Sequence, residues 1–174
     1  NIFSVLQIQS KEVLICRMIA DLLNPRGQHG AGAEYLKIFL RDCLGMEKMD
    51  TKLADQAIVT AEYAIDDERR IDIVIEIGSY FLPIEVKIYA ADQKSQCFDY
   101  YQYAKRRDAQ AKVYYLTLDG HRPGKDSTSS GSQSVPEEDI VCLSFREHIL
   151  NWLKACKNCE NTGMIPILEQ FIRN

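Results

Sequence analysis

Arg69-Arg70-Ile71-Asp72-Ile73-Val74-Ile75-Glu76-Ile77-Gly78-Ser79-Tyr80-Phe81-Leu82-Pro83-Ile84-Glu85-Val86-Lys87-Ile88 is the stretch whose reading decides the fold. Ile71, Ile73, Ile75 and Ile77 alternate with Asp72, Val74 and Glu76, the period of a strand with one strongly apolar face. Gly78-Ser79 suits a two-residue hairpin turn, where Gly supplies a positive φ. The second strand alternates again, with Ile84, Val86 and Ile88 on one side and Glu85 and Lys87 on the other.

If Ile77 faces Tyr80 across the turn, paired residues keep a constant index sum and Asp72 faces Glu85. Opposed side chains in a ladder sit about 4.5–5.5 Å apart at Cβ, and like charges there are destabilising. Two carboxylates with Lys87 next along the same face suit a hard divalent cation such as Mg²⁺ or Mn²⁺, which takes a few anionic oxygens and keeps other positions for water and phosphate. The alternative is a solvated face on which Asp72, Glu85, Arg70 and Lys87 neutralise one another. Leu82-Pro83-Ile84-Glu85-Val86-Lys87 is apolar around its charges, however, and reads as an interior strand. Buried charges are rare unless paired or bound to metal.

Outward from the hairpin, residues 1–23 read as one or two helices, with Ser10 a cap near a break after Gln9. Asn24-Pro25-Arg26-Gly27 stops that helix, and a second follows over about 33–44. Residues 57–65 alternate as a strand, 90–107 read as helix, and 112–118 and 140–143 as strands. Residues 119–138 are rich in Gly, Ser and Pro and read as a mobile polar loop. Helices over 145–156 and 164–173 close the chain. A meander of three strands, a crossover helix and further strands makes one α/β domain, a mixed central sheet flanked by helices.

The chain has 174 residues, enough for a real core, and a formal net charge of −4, which is no global signature of a polyanion binder. Acids that hold a metal lower the net charge while the ion offsets them locally. No apolar run spans a membrane and no leader is visible; the chain opens on Asn1 rather than Met, as a fragment would. Cys16, Cys43, Cys97, Cys142, Cys156 and Cys159 lie mostly in apolar patterns, as reduced thiols of a cytoplasmic protein do.

An Asp on one strand and Glu-x-Lys on the next, here Asp72, Glu85 and Lys87, resembles the PD-(D/E)XK nuclease superfamily, with Ile71 where the motif has Pro. The resemblance implies a restriction-endonuclease-like αβββαβ core over about residues 10–118. It implies a metal-dependent nuclease, with DNA favoured as substrate, in which Asp72 and Glu85 hold Mg²⁺ or Mn²⁺ and Lys87 places or activates the attacking water. By position Glu12, in the first helix, and the Val86 carbonyl complete the metal site; Glu12 reads equally as an acid favouring its helix dipole. Gln96-x-x-x-Tyr100, nine residues after Lys87, is similar to the RecB-like branch, where such side chains contact the nucleic-acid strand. Asn24-Pro25-Arg26-Gly27-Gln28-His29-Gly30 looks like a subgroup of bacterial and phage-defence-type proteins, in which Arg26 and His29 would meet a phosphate; a plain interhelical turn is the simpler reading. Glu62 fits either a site acid or an edge charge.

Two rivals stand beside this reading. One is a catalytically silent nucleic-acid-binding module on the same fold. The other is a zinc or thiol-redox protein using Cys156-x-x-Cys159, which lacks a second ligand pair. Gly120-His121-Arg122-Pro123-Gly124-Lys125-Asp126 is not a phosphate loop, since its spacing is short and Asp follows the Lys. The oligomeric state is open, a homodimer included.

Overall fold

The hairpin forms in the expected register. In the computed structural model, which describes residues 2–159, 170 and 173, β2 (Arg70–Ile77) and β3 (Tyr80–Lys87) pair antiparallel with Ile77 opposite Tyr80 and Ile73 opposite Ile84. Gly78 takes the turn at φ +57°. β1 (Ile58–Ala64) pairs antiparallel with the outer edge of β2. β4 (Val113–Thr117) and β7 (Ile140–Ser144) add parallel strands beyond β3, so the five-stranded sheet runs β1-β2-β3-β4-β7. Pro83 is tolerated in this interior strand because the β4 ladder starts one residue later, at Ile84.

Helices cover both faces. α1 (Ile2–Leu23), α2 (Glu34–Asp42) and α6 (Leu150–Lys157) pack Ile15, Ile19, Leu22, Phe39 and Trp152 with Ile73, Ile75, Ile84 and Val86 of the sheet. α3 (Thr51–Ala54) is a single turn capped by Asp50, whose carboxylate accepts from the Lys52 amide at 2.9 Å. α4 (Gln96–Arg107) covers the other face through Phe98, Tyr100, Tyr101 and Ala104.

Several expectations change. The first helix runs unbroken through Ser10, since nothing between Gln9 and Lys11 interrupts the backbone ladder as Pro or Gly would. The crossover helix starts at Gln96 rather than near 90, because residues 88–95 are held as a bent, non-helical strap by side chains from elsewhere. The stretch 119–138, read as a mobile loop, contains the short helix α5 (Lys125–Thr128) and a small hairpin of β5 (Ser129–Ser130) and β6 (Gln133–Ser134). It is stitched to α4: the Cys97 amide donates to Ser127 Oγ at 3.2 Å, and the Ser95 amide to the Asp126 carbonyl at 2.7 Å. The closing helix begins with a wide turn, Phe145–Ile149, before α6. The expected helix over 164–173 lies outside the described residues, apart from positions 170 and 173, which are helical.

The face assignment of β2 also changes. Ile73, Ile75 and Ile77 face α1, but Ile71 packs with α4, Tyr63 and Ile65. β1 switches at the same level, Val59 and Ala61 packing toward α1 and Tyr63 and Ile65 toward α4. Strict alternation breaks at Glu62 and Asp72, which stand opposite each other in the register; Glu62 takes the left-handed φ of +55°. No helix among the described residues is long and apolar enough to cross a membrane.

Trp152 anchors the α1 face, fully buried, its indole N–H donating to the Tyr35 carbonyl at 2.9 Å and its ring edge-on to Phe39. Trp152→Ala is expected to cost about 3–5 kcal/mol, read as a lower urea midpoint at unchanged slope.

Candidate active site

The face switch in β1 and β2 occurs at one level of the sheet, and there the acids gather. Glu62 of β1 stands opposite Asp72, and Glu85 lies one step past the last paired residues of the β2–β3 ladder, where the register brings it to Asp72. Instead of continuing the ladder, Asp72 Oδ2 accepts from the Val86 amide at 2.8 Å, so the side chain takes the place of a strand carbonyl. Glu85 and Lys87 lie at the C-terminal ends of the parallel strands, Lys87 level with Thr117 of β4, which in turn is level with Ser144 of β7. Ligand sites of open sheets with parallel strands form at that edge.

Burial sets the electrostatics. Glu85 is 2% exposed and Lys87 7%. Lys87 Nζ lies 3.3 Å from Glu85 Oε1 and donates to the Ala91 carbonyl at 3.4 Å. Glu85 Oε2 is buried with no partner. Loss of solvent pushes the Glu85 carboxyl well above its ordinary range, and the neighbouring Asp72 charge pushes the same way against the pull of Lys87. Desolvation likewise raises Asp72 to about 6, opposed by the Val86 amide and the Lys87 charge. Two carboxyls and one ammonium are thus a cation short of a fully ionised site at neutral pH. Among the described residues no three Asp, Glu, His or Cys side chains form a ready-made ligand cluster. The donor set suits a hard ion that uses one or two carboxylates and keeps water in its other positions.

Glu12 reaches the site's flank from α1. Its Oε1 accepts from the amides of Ile88 at 2.8 Å, Tyr89 at 2.7 Å and Ala90 at 3.1 Å. It thereby fixes the chain leaving Lys87, a role that its place in the sequence does not reveal. Cys16, one helical turn on, is buried beside Asp72 and Glu85; burial and those charges push its thiol up, so it stays a neutral packing group. Glu62 pairs outward with the exposed Arg17 at 3.0 Å, the edge-charge alternative.

Gln96 and Tyr100 do come beside the site, but inside the protein rather than on an open groove. Tyr100 is 1% exposed, and its hydroxyl donates to the Arg70 carbonyl at 2.6 Å. With that hydrogen committed, Gln96 must donate Nε2 to the hydroxyl, at 3.2 Å, which leaves Gln96 Oε1 buried without a partner. The Tyr100 hydroxyl is thus committed within the fold, donating to one residue and accepting from another. Arg26 and His29 do not join the site. Arg26 Nη2 donates to the Ala57 carbonyl, and Ala57 precedes β1 by one residue, so about 17 Å of strand separates it from Glu62. His29 uses both ring nitrogens on the backbone: Nδ1 accepts from the Ala31 amide at 3.0 Å and Nε2 lies 2.9 Å from the Asn24 carbonyl. Both build the interhelical turn that was the simpler reading.

Two further residues, Asp92 and Arg69, frame the site without any local sequence signal. Asp92 accepts from the Tyr115 hydroxyl and from the Gly124 amide at 2.7 Å, tying strap 88–95 to the following crossover. Arg69 pairs with Asp99 and donates to the Lys94 carbonyl, closing the strap's other end. Such long-range ties depend on topology, which no local pattern carries.

Comparison with known proteins bears on this geometry. The chain matches the PD-(D/E)XK nuclease superfamily over residues 1–173. Neither the curated proteins nor the solved structures contain a match.

An acid whose pKa is raised by folding binds more protons folded than unfolded, so it lowers stability as pH climbs from the unfolded to the folded pKa. In chelator, Asp72 should therefore lower Tm progressively between about pH 4 and 6, and Glu85 should add to the loss as pH climbs past the ordinary carboxylate range. Asp72→Asn should flatten the lower part of this profile. Mg²⁺ or Mn²⁺ should raise Tm at pH 7 in the wild type and much less in Asp72→Asn, as read by differential scanning fluorimetry.

Proposed function

Because this chain belongs to the PD-(D/E)XK nuclease superfamily, we propose that it is a divalent-metal-dependent nuclease hydrolysing phosphodiester bonds in DNA. The observation that carries the reading is the Glu85 carboxyl, buried with Oε1 on Lys87, Oε2 unpartnered and Asp72 alongside. A buried carboxyl pair is costly as structure alone and useful as a cation site.

A bound Mg²⁺ or Mn²⁺ supplies a Lewis acid for a phosphate oxygen and favours ionisation of water at neutral pH. Asp72 and Glu85 are its carboxylate ligands, with the Val86 carbonyl and Glu12 the remaining protein donors. Asp72 is aligned through its bond to the Val86 amide, which ties the two ligand strands together. Glu12 commits one oxygen to the strap amides, leaving Oε2 for the site. Lys87, fixed between Glu85 and the Ala91 carbonyl, positions the attacking water and faces the negative charge that grows on the phosphoryl oxygens. Tyr100 holds β2 through Arg70 and orients Gln96, whose free Oε1 accepts from a strand or water donor. The RecB-like affinity rests on these two residues.

Lys87→Ala should lower cleavage by about 100-fold or more while leaving the metal-induced rise in Tm in place. A gel assay of labelled DNA with Mg²⁺ or Mn²⁺ reads this, and undiminished cleavage contradicts the role. A silent module on the same fold would retard wild-type-bound DNA in that gel without cutting it.

A further inference from the structure

Tyr89 is 48% exposed although its backbone is tied down, its amide donating to Glu12 Oε1 between those of Ile88 and Ala90. The rest of the strap is pinned as well. Asp92 holds it to Tyr115 and Gly124, and Arg69 holds the Lys94 carbonyl and Gln93 Oε1. A rigid backbone thus keeps an aromatic ring in water, and the phenol has no hydrogen bond or ring partner among the described residues. Tyr89 follows Lys87 by two residues, so the two Cα atoms are within about 7 Å. Tyr80, the other exposed aromatic among the described residues, is at the hairpin turn, the opposite end of the strand.

An exposed ring on a fixed backbone beside a phosphate-directed site is what stacking on a nucleobase requires. Base faces are open only where bases are unpaired; in a duplex they are covered by their neighbours. Arg70 and Lys94 are both exposed, and the bond from Arg69 to the Lys94 carbonyl brings them to the same end of the strap, where they supply cations for a flanking phosphate.

We propose that Tyr89 is a base-stacking platform and that the substrate presents an unpaired base there, as a single strand or a frayed strand end, with the adjoining phosphate at Asp72, Glu85 and Lys87. The proposal rests on the nuclease reading of those three residues. Stacking holds the strand equally before and during reaction, so it acts on KM more than on kcat. The hydroxyl is dispensable and the ring is not.

The test is steady-state cleavage, in Mn²⁺, of fluorescein-labelled oligothymidylate and of a hairpin duplex of equal length by wild type, Tyr89→Ala, Tyr89→Phe and Tyr89→Leu. A second readout, independent of turnover, is indole emission of Tyr89→Trp on adding oligothymidylate, compared with wild type, whose single Trp is buried. Expected are a wild-type preference for the single strand, KM raised about tenfold or more in Tyr89→Ala and Tyr89→Leu, near-normal KM in Tyr89→Phe, and quenching in Tyr89→Trp only. A wild-type KM in Tyr89→Ala, no added quenching in a protein that cuts, or preference for the hairpin overturns the platform and leaves the nuclease reading standing. A wild type that cuts neither substrate overturns the nuclease reading, and the platform falls with it.

Discussion

The buried Glu85 lies beside the half-buried Asp72, with the ammonium of Lys87 as the counter-charge at hand. Two carboxylates there repel through a medium that screens poorly, and each has lost its hydration. The protein eases the conflict with a proton, which burial keeps on the pair at pH values where exposed acids have released it. A divalent cation eases it better, because it neutralises both carboxylates at once and leaves Lys87 for the substrate. The rest of the molecule can be read as the framework that keeps the pair together.

That framework works by denying the acids any escape. Asp72 is bonded to the β3 backbone, and the ladder of β1 and β2 changes face at its level, with Glu62 in a left-handed conformation opposite. A non-glycine residue at positive φ inside a strand costs about 1–3 kcal/mol and persists where its surroundings over-determine it. Behind Lys87, Glu12, Asp92 and Arg69 hold the strap from three sides. A rigid strap keeps Lys87 and Tyr89 in fixed relation, which matters because misplacement by about 1 Å can cost a hundredfold in rate.

Local patterns carried the hairpin, its register, the three-strand meander of a mixed sheet and the nearness of Asp72, Glu85 and Lys87, since those depend on neighbours in sequence. Patterns failed where distant parts of the chain intervene. Alternation alone puts Ile71 with Ile73, but the strand turns over at Asp72 and sends Ile71 to α4. Gly-, Ser- and Pro-rich composition describes 119–138 as loose, yet Ser127 is fully buried against the α4 N-terminus. His29 looked available because a sequence shows its imidazole without the two backbone groups that occupy it. Glu12 was legible as a candidate acid, whereas its grip on three amides 76 to 78 residues away was not. Spacing showed that Gln96 and Tyr100 share a helix face, and not that the face is covered.

The most direct test of the account is a count of protons released when Mn²⁺ binds the wild-type protein near pH 7, obtained by calorimetric titration in buffers of differing ionisation enthalpy. If the ion displaces the proton that burial holds on the Asp72–Glu85 pair, binding should release close to one proton per ion, and the number should fall as pH rises. Saturable binding with no proton release, or no binding at all, would show that the buried acids do not exist for a cation.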